Sequence, residues 1–459
     1  MQAVLAIARQ TLKAAFRNRL VPVLILLLLG GVLTLPAIIK DDGTARGLSQ
    51  IVLAYTLGLT TAILGLTTLW LACSSIAREI EECQLQMVVV KPVGRWQIWV
   101  GKWIGILALD VLVLAIAAGI IFAQIQLRAR GLPEPQQEVL RNEVFVARDA
   151  FKPPMPDIEG PVEEVLKERL KNPNVAAMDR GEARKVIREQ VLAQLQIVPP
   201  GFYREWTIDM SGVRDKVRGQ PLFLRTKFFS AERAPGVTFM GAWDVGPETS
   251  PKRWRDVKSQ APETFHEFAI PPDLLDEKGI LTVRFVNQNE LALLFPLDEG
   301  MEVLYREGSF GLNYFRGVAI IFCWLALLAA MGLMASTFLS FPVAAFLSFA
   351  VLMVGFSSGT INQVIEEGTI RPVDHDTGKV ANPNIFDHAT VFVFKGVKTV
   401  IGLARDFSPI DSLSAGRTIT WATLARAAAQ IILLLGGLFA LMGIRILNGR
   451  ELATAQAKT

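Results

Sequence analysis

The chain has 459 residues, of which 51% are hydrophobic and 20% charged, with a net charge of +4. Its apolar residues are gathered into long uncharged blocks, which excludes an ordinary soluble domain and reads as a polytopic membrane protein with one soluble insertion. The basic residues cluster beside those blocks, where they act as topology signals, so no nucleic-acid partner is expected.

Residues 1–19 form a basic amphipathic helix. Leu5, Ala8, Leu12, Ala15 and Phe16 make its apolar stripe, and Arg9, Lys13, Arg17 and Arg19 carry its charge. A secretory signal peptide is the rival reading, but the charged region is too long and no small-residue cleavage site follows. Leu20–Ile39 is the first span, about 30 Å long as a helix. Lys40–Gly47 is a polar hairpin, and Leu48–Ala77 is the second span. An amphipathic interruption follows, IAREIEECQLQMVVVKPVGRWQIWVGK, from Ile76 to Lys102. Ile76, Ile80, Cys83, Met87 and Val90 recur at helical spacing on one face, and Arg78, Glu79, Glu81, Glu82, Gln84 and Gln86 fill the other. Lys91-Pro92 ends the pattern because the residue before proline is driven out of the helical region. Such a helix lies along a membrane surface with its charges toward water. Trp103–Leu127 is the third span, interrupted only by Asp110.

Four basic residues lie in the N-terminal helix and four in the 76–102 stretch (Arg78, Lys91, Arg95, Lys102), against two in the Lys40–Gly47 hairpin, which places the helix and the stretch on the cytoplasmic side and residues 128–316 outside. This outer domain begins Pro-rich, has a helical patch at about 162–195, and turns β-like from about residue 200. The predicted strands are Leu222–Phe229, Val237–Trp243, Thr264–Ile270, Ile280–Asn287, Leu291–Phe295 and Met301–Tyr305, a texture that fits a β-sandwich or jelly roll. No charge occurs between Arg316 and Glu366, so residues 317–365 hold two spans that turn near Ser340-Phe341-Pro342. Residues 366–421 form a second outer segment, with an interfacial or re-entrant element at 389–404. Ala422–Ile444 is the sixth span, and residues 422–459 end in a basic tail. The fold class expected is therefore a polytopic α-helical membrane protein of six transmembrane helices with a mainly-β extracytoplasmic domain, both termini being cytoplasmic.

Three features of the membrane portion resemble the permease subunits of type 2 ABC transporters, a six-span family that includes many bacterial exporters. They are the helix ARQTLKAAFRNRL before the first span, the stretch from Ile76 to Lys102 with its acidic helix, Lys-Pro-x-x-Arg turn and Gly-Lys opening the next span, and the outer apolar element before the last span. The resemblance implies a connecting helix carrying Arg9, Lys13, Arg17 and Arg19. It also implies a coupling helix within 76–97, whose Arg78, Glu79, Glu81, Glu82, Lys91, Pro92 and Arg95 meet a separate cytoplasmic ABC ATPase. Further implications are a second permease copy or paralogue, and a bacterial inner membrane. The family has a short loop where this chain has about 190 residues.

The chain carries no ATPase of its own. The nearest approach to a phosphate-binding loop, Gly94 to Gly101-Lys102, has the wrong spacing and ends in Trp103. ATP and Mg are thus expected on the partner subunit, with no cofactor or metal bound here. Asp110 is a functional candidate, since ionisable groups within a span face a bundle interior or a polar partner. Its alternative role is that of a residue near the cytoplasmic interface, paired with a neighbouring hydroxyl or basic group. Trp206, Trp243 and Trp254 with Phe239 and Phe265 could line a glycan surface, although aromatics at strand spacing more often form core. Three functions stay open. One is ATP-driven export; another is mechanotransmission to an envelope partner without transport; the third is a membrane-anchored module that binds a glycan or protein.

Overall fold

The computed structural model describes residues 1–39, 45–89, 92–140, 144–169, 180–232, 236–247, 253–356, 390, 394–396, 398, 402–403 and 407–450. It divides into two compact units, Met1–Phe145 with Ser309–Thr459, and Val146–Gly308.

The first unit opens with α1, Gln2–Arg17, a helix over the predicted range. Extended backbone at Asn18 ends it, and the Asn18 side chain accepts the Leu20 N–H at 3.3 Å. That N–H opens α2, Leu20–Ile38, and a leucine-rich sequence with no charge sustains it. α3 covers Ala45–Glu81 as one continuous helix. At 1.5 Å per residue it is about 55 Å long, well beyond the roughly 30 Å of a hydrocarbon core. The predicted surface helix therefore does not start at Ile76; Ile76–Glu81 is the end of the span helix itself. The break falls at Cys83, whose φ of 57° is left-handed, a conformation that a non-glycine residue occupies at a cost. A short helix, α4 (Gln84–Val89), follows in a new phase. Leu85 is its buried anchor, while Cys83 and Met87 are exposed, contrary to the predicted stripe. α5, Arg95–Ala129, begins eight residues ahead of the predicted third span. The Gln97 side chain accepts the Gly94 N–H at 3.1 Å and fixes that start. A turn of helix, α6 (Glu134–Val139), ends this half of the unit.

The second unit is a β-sandwich, as the alternating patterns predict. Its strands are β1 (Val146–Phe151), β2 (Ile197–Val198), β3 (Tyr203–Asp209), β4 (Leu222–Thr226), β5 (Phe229–Ser230), β6 (Phe239–Val245), β7 (Trp254–Gln260), β8 (His266–Ile270), β9 (Ile280–Asn287), β10 (Leu293–Leu294) and β11 (Met301–Ser309). They form two four-stranded sheets, β1-β11-β4-β8 and β3-β9-β6-β7, with a three-stranded β2-β10-β5. Inward residues of both larger sheets, among them Leu224, Val303, Trp243 and Phe285, share one core with Phe228 and Phe295. Of the predicted strands, Ile280–Asn287 is reproduced residue for residue. The two-residue β2 and the longer β1, β3 and β7 were not expected; the three longer strands share one reason. Each carries two adjacent charged residues (Arg148-Asp149, Arg204-Glu205, Arg255-Asp256), which break the apolar alternation that would announce it. Helices at Glu159–Arg169 and Arg180–Gln196 pack on each other through Val162, Ile187 and Val191, where the helical patch is predicted.

The chain re-enters the first unit as α7, Phe310–Ser336. α8 (Phe341–Phe356) follows the turn at Ser340, then a short α9 (Pro409–Ser414) and α10 (Trp421–Gly449), which is widened at Ala428–Gly436. Five helices, α2, α3, α5, α7 and α10, are long and apolar enough to cross a membrane, as in a multi-pass membrane protein. α8, the expected fifth of six spans, has only 16 described residues, about 24 Å of helix. The 389–404 element lies largely outside the described residues.

Leu26, Leu27, Leu33, Leu433, Leu434 and Leu441 are exposed, as lipid-facing residues are. Because lipid tails are as apolar as leucine, packing and interhelical hydrogen bonds hold such helices together. A Cβ at Gly332 of α7 would stand 2.8 Å from the Ala72 Cβ of α3, so glycine permits that crossing. Trp103 Nε1 donates to the Ala326 carbonyl at 3.0 Å, and the Tyr314 hydroxyl to the Ala118 carbonyl at 2.9 Å, linking α5 to α7 twice.

Candidate functional site: a charged junction of helix ends

The ends of α3, α5, α8 and α10 meet around residues 78–102, and most of the charged side chains there point at neighbouring helices. Glu79, on the last turns of α3, forms a 2.6 Å ion pair with Lys102 of α5. Lys102 is only 3% exposed. Its ammonium also donates to the Ser75 carbonyl and hydroxyl, each at 3.2 Å, so all three hydrogens have partners. Ser75 and Glu79 are four residues apart, which sets both on the α3 face toward α5. Burying an ammonium is costly, and only such complete satisfaction makes it tolerable.

Glu81 accepts the Phe341 N–H at 3.2 Å, supplying a partner and a negative charge to the first turn of α8. The Arg78 guanidinium lies 4.5 Å over the Phe341 ring, which also packs edge-on against Trp70 at 4.9 Å. Arg95 reaches the C-terminal carbonyls of α10, donating to Leu447, to Asn448 at 2.8 Å and to Arg450 at 3.0 Å. Cations are favoured at a helix C-terminus, where carbonyls lack partners. Arg450 in turn donates to the Thr337 carbonyl at the end of α7, at 2.7 Å.

Of the seven residues set against an ATPase, then, Arg78, Glu79, Glu81 and Arg95 are engaged within the chain. Glu82 is exposed and accepts the Gln84 amide at 2.6 Å. Pro92 is exposed, and Lys91 lies outside the described residues. The outward surface also holds two large apolar groups, Met87 at 68% and Trp96 at 52% exposure.

α1 lies along α5. A Cβ at Gly105 would fall 2.6 Å from the Ala8 carbonyl oxygen and 2.7 Å from the Thr11 Cβ, and one at Gly101 would fall 2.8 Å from the Ile7 Cβ. The small residues four apart let the two backbones touch. The buried stripe is Ala8, Thr11 and Ala15, with Leu5 and Phe16 of the predicted stripe left exposed. Arg9, Lys13, Arg17 and Arg19 are all exposed.

Asp110 stands apart from the junction, eight residues or about 12 Å beyond Lys102 on α5, with buried Ile106 between them. It is 1% exposed, and its Oδ1 lies 2.7 Å from the Thr68 hydroxyl of α3. That hydroxyl also lies 2.7 Å from the Leu64 carbonyl oxygen. The single hydroxyl hydrogen thus serves two acceptors, the Leu64 carbonyl and the Asp110 carboxyl. The Oδ2 has no partner among the described residues.

Trp206, Trp243 and Phe239, set against a glycan, are 7%, 1% and 4% exposed and belong to the sandwich core, whereas Phe265 is 44% exposed. Among the described residues, no three His, Cys, Asp or Glu side chains stand close enough to hold a metal. Lys102 is the member of the junction that sequence reasoning missed, having read it as a flanking charge. Its signal was a lysine inside an otherwise apolar helix with a carboxylate upstream. No protein family, curated protein or solved structure matches the chain.

Proposed function

We propose that the chain is the membrane subunit of an ATP-driven ABC-type machine and that a separate cytoplasmic ATPase docks on the outward surface of the junction. The observation that supports this reading is mechanical. A body pressing on α4, Pro92 and Trp96 would push on a region whose side chains are already bonded to α5, α8 and α10, and one displacement would reach several spans together. Glu82, Met87, Pro92 and Trp96 face outward and form the docking surface. An exposed methionine and tryptophan rimmed by charge have the anatomy of a protein contact. In this reading the junction and both termini are cytoplasmic, the membrane is a bacterial inner membrane, and the sandwich is extracytoplasmic. A folded unit of this size between the third and fourth spans favours motion delivered to that unit, with or without a cargo crossing.

The test is a mild-detergent pull-down of the tagged chain with an ATPase assay. An ATP-hydrolysing subunit should co-purify and be lost from Met87→Asp/Trp96→Asp, while the variant still inserts. No co-purifying ATPase, or one held equally by the variant, would reject the coupling role. Glu79 and Glu81 are unsuitable for this purpose, because changing them disturbs the bundle itself.

A further inference from the structure

The outer face of the β3-β9-β6-β7 sheet is written in two rows. Strand register places Tyr203, Val286, Ala242 and Val257 side by side across the four strands. The next row on the same face, two residues along each strand, is Glu205, Arg284, Asp244 and Arg255. One row is apolar; the other alternates negative, positive, negative, positive. The face is open, with Tyr203 63%, Val257 49% and Met240 44% exposed.

We infer that this face packs against the same face of a second copy of the chain, about a two-fold axis running along the strands between β9 and β6. The charge order decides the axis. A two-fold along the strands reverses the row, so Glu205 faces the second copy's arginine at 255 and Arg284 faces its aspartate at 244. Every charge then meets its opposite, and apolar residues meet apolar residues. An axis along the row would set like on like, or charge on apolar surface. Self-complementarity of this kind is what an isologous dimer requires. Two sheets with their strands nearly aligned are also a standard face-to-face packing, roughly 10 Å apart.

Inside one chain the charges already pair sideways, Arg284 with Glu205 at 2.6 Å, and Asp244 with Arg253 at 2.8 Å and Arg255 at 3.3 Å, the Asp244 side chain being 15% exposed. The facing charges therefore set register and reject wrong partners more than they add affinity. The area is small. Four strands by about five residues give some 300 Å² per copy, against about 800 Å² in a standard interface. The contact forms between copies that a membrane already holds together, where effective concentration is high. It requires membrane anchoring and is independent of any ATPase.

The test uses the full chain in membranes, with Met240→Cys on this face and a bismaleimide of about the sheet spacing. Cys83 is the exposed native thiol among the described residues, so the unsubstituted chain is the control. A covalent dimer should form above that control. On that background Arg255→Glu and Glu205→Arg should each cut the yield about ten-fold, because a symmetric contact meets each reversed charge twice. The two residues lie about 14 Å apart within one chain, yet together the two substitutions should restore most of the yield. A double variant no better than the single ones, single variants without effect, or no dimer above the control would each overturn the proposal.

Discussion

Lys102 shows how one buried charge organises its surroundings. Its ammonium is held by Glu79 and twice by Ser75, so the three groups act as one unit. Glu79→Ala should lower stability by roughly 2 to 3 kcal/mol, less than for a fully buried pair because the Glu79 side chain is 29% exposed. Adding Lys102→Met should recover most of the loss, since an apolar side chain of similar length needs no counter-charge. Thermal unfolding in detergent reads both, and a double variant no more stable than Glu79→Ala would refute the account. The pairing was not legible in the sequence. Glu79 and Lys102 are 23 residues apart with a break at Cys83 between them, and only antiparallel packing of α3 on α5 brings them together. Asp110 was more legible. A carboxyl in a span calls for a polar partner, and a hydroxyl was among the alternatives; Thr68 is that hydroxyl.

Among the elements, α1 is the one whose role rests on a close approach. Gly101 and Gly105 present bare backbone on α5, and the buried stripe of α1 sits on it. Gly105→Leu should drive α1 off this surface. Limited trypsin digestion would show it as faster cleavage at Arg9, Lys13 and Arg17, and an unchanged digestion pattern would count against the packing. The existence of α1 could be read from its basic amphipathic pattern, but its phase could not. The sequence shows an apolar band that includes Leu5 and Phe16, whereas contact with α5 selects Ala8, Thr11 and Ala15 because small residues allow the backbones to meet. The same limit applies at α4. Cys83 takes a left-handed conformation and resets the helical phase, so Leu85 is buried where the unbroken pattern would bury Met87.

For the whole molecule, the two units test the membrane arrangement. One long apolar helix, α5, lies between Cys83 and the sandwich, so the two should lie on opposite sides of the membrane. An impermeant maleimide applied to intact cells should label Lys216→Cys, an exposed position of the sandwich unit away from the β3-β9-β6-β7 face, and Cys83 only after permeabilisation. Labelling of both from the same side would reject the proposed topology.

The amino-acid sequence alone determined that this is a membrane protein with a β-rich insertion. Long uncharged runs cannot be solvated, and alternating runs such as Ile280–Asn287 have one face to bury, so local pattern suffices for both. It also marked residues 76–102 as the place where charge interrupts apolar chain. Tertiary structure decided what those charges do. Arg95 reaches carbonyls more than 350 positions away, and Glu81 the first turn of α8. A residue's partners across a bundle depend on which helices lie side by side, and that follows from packing at small residues, which no local pattern encodes.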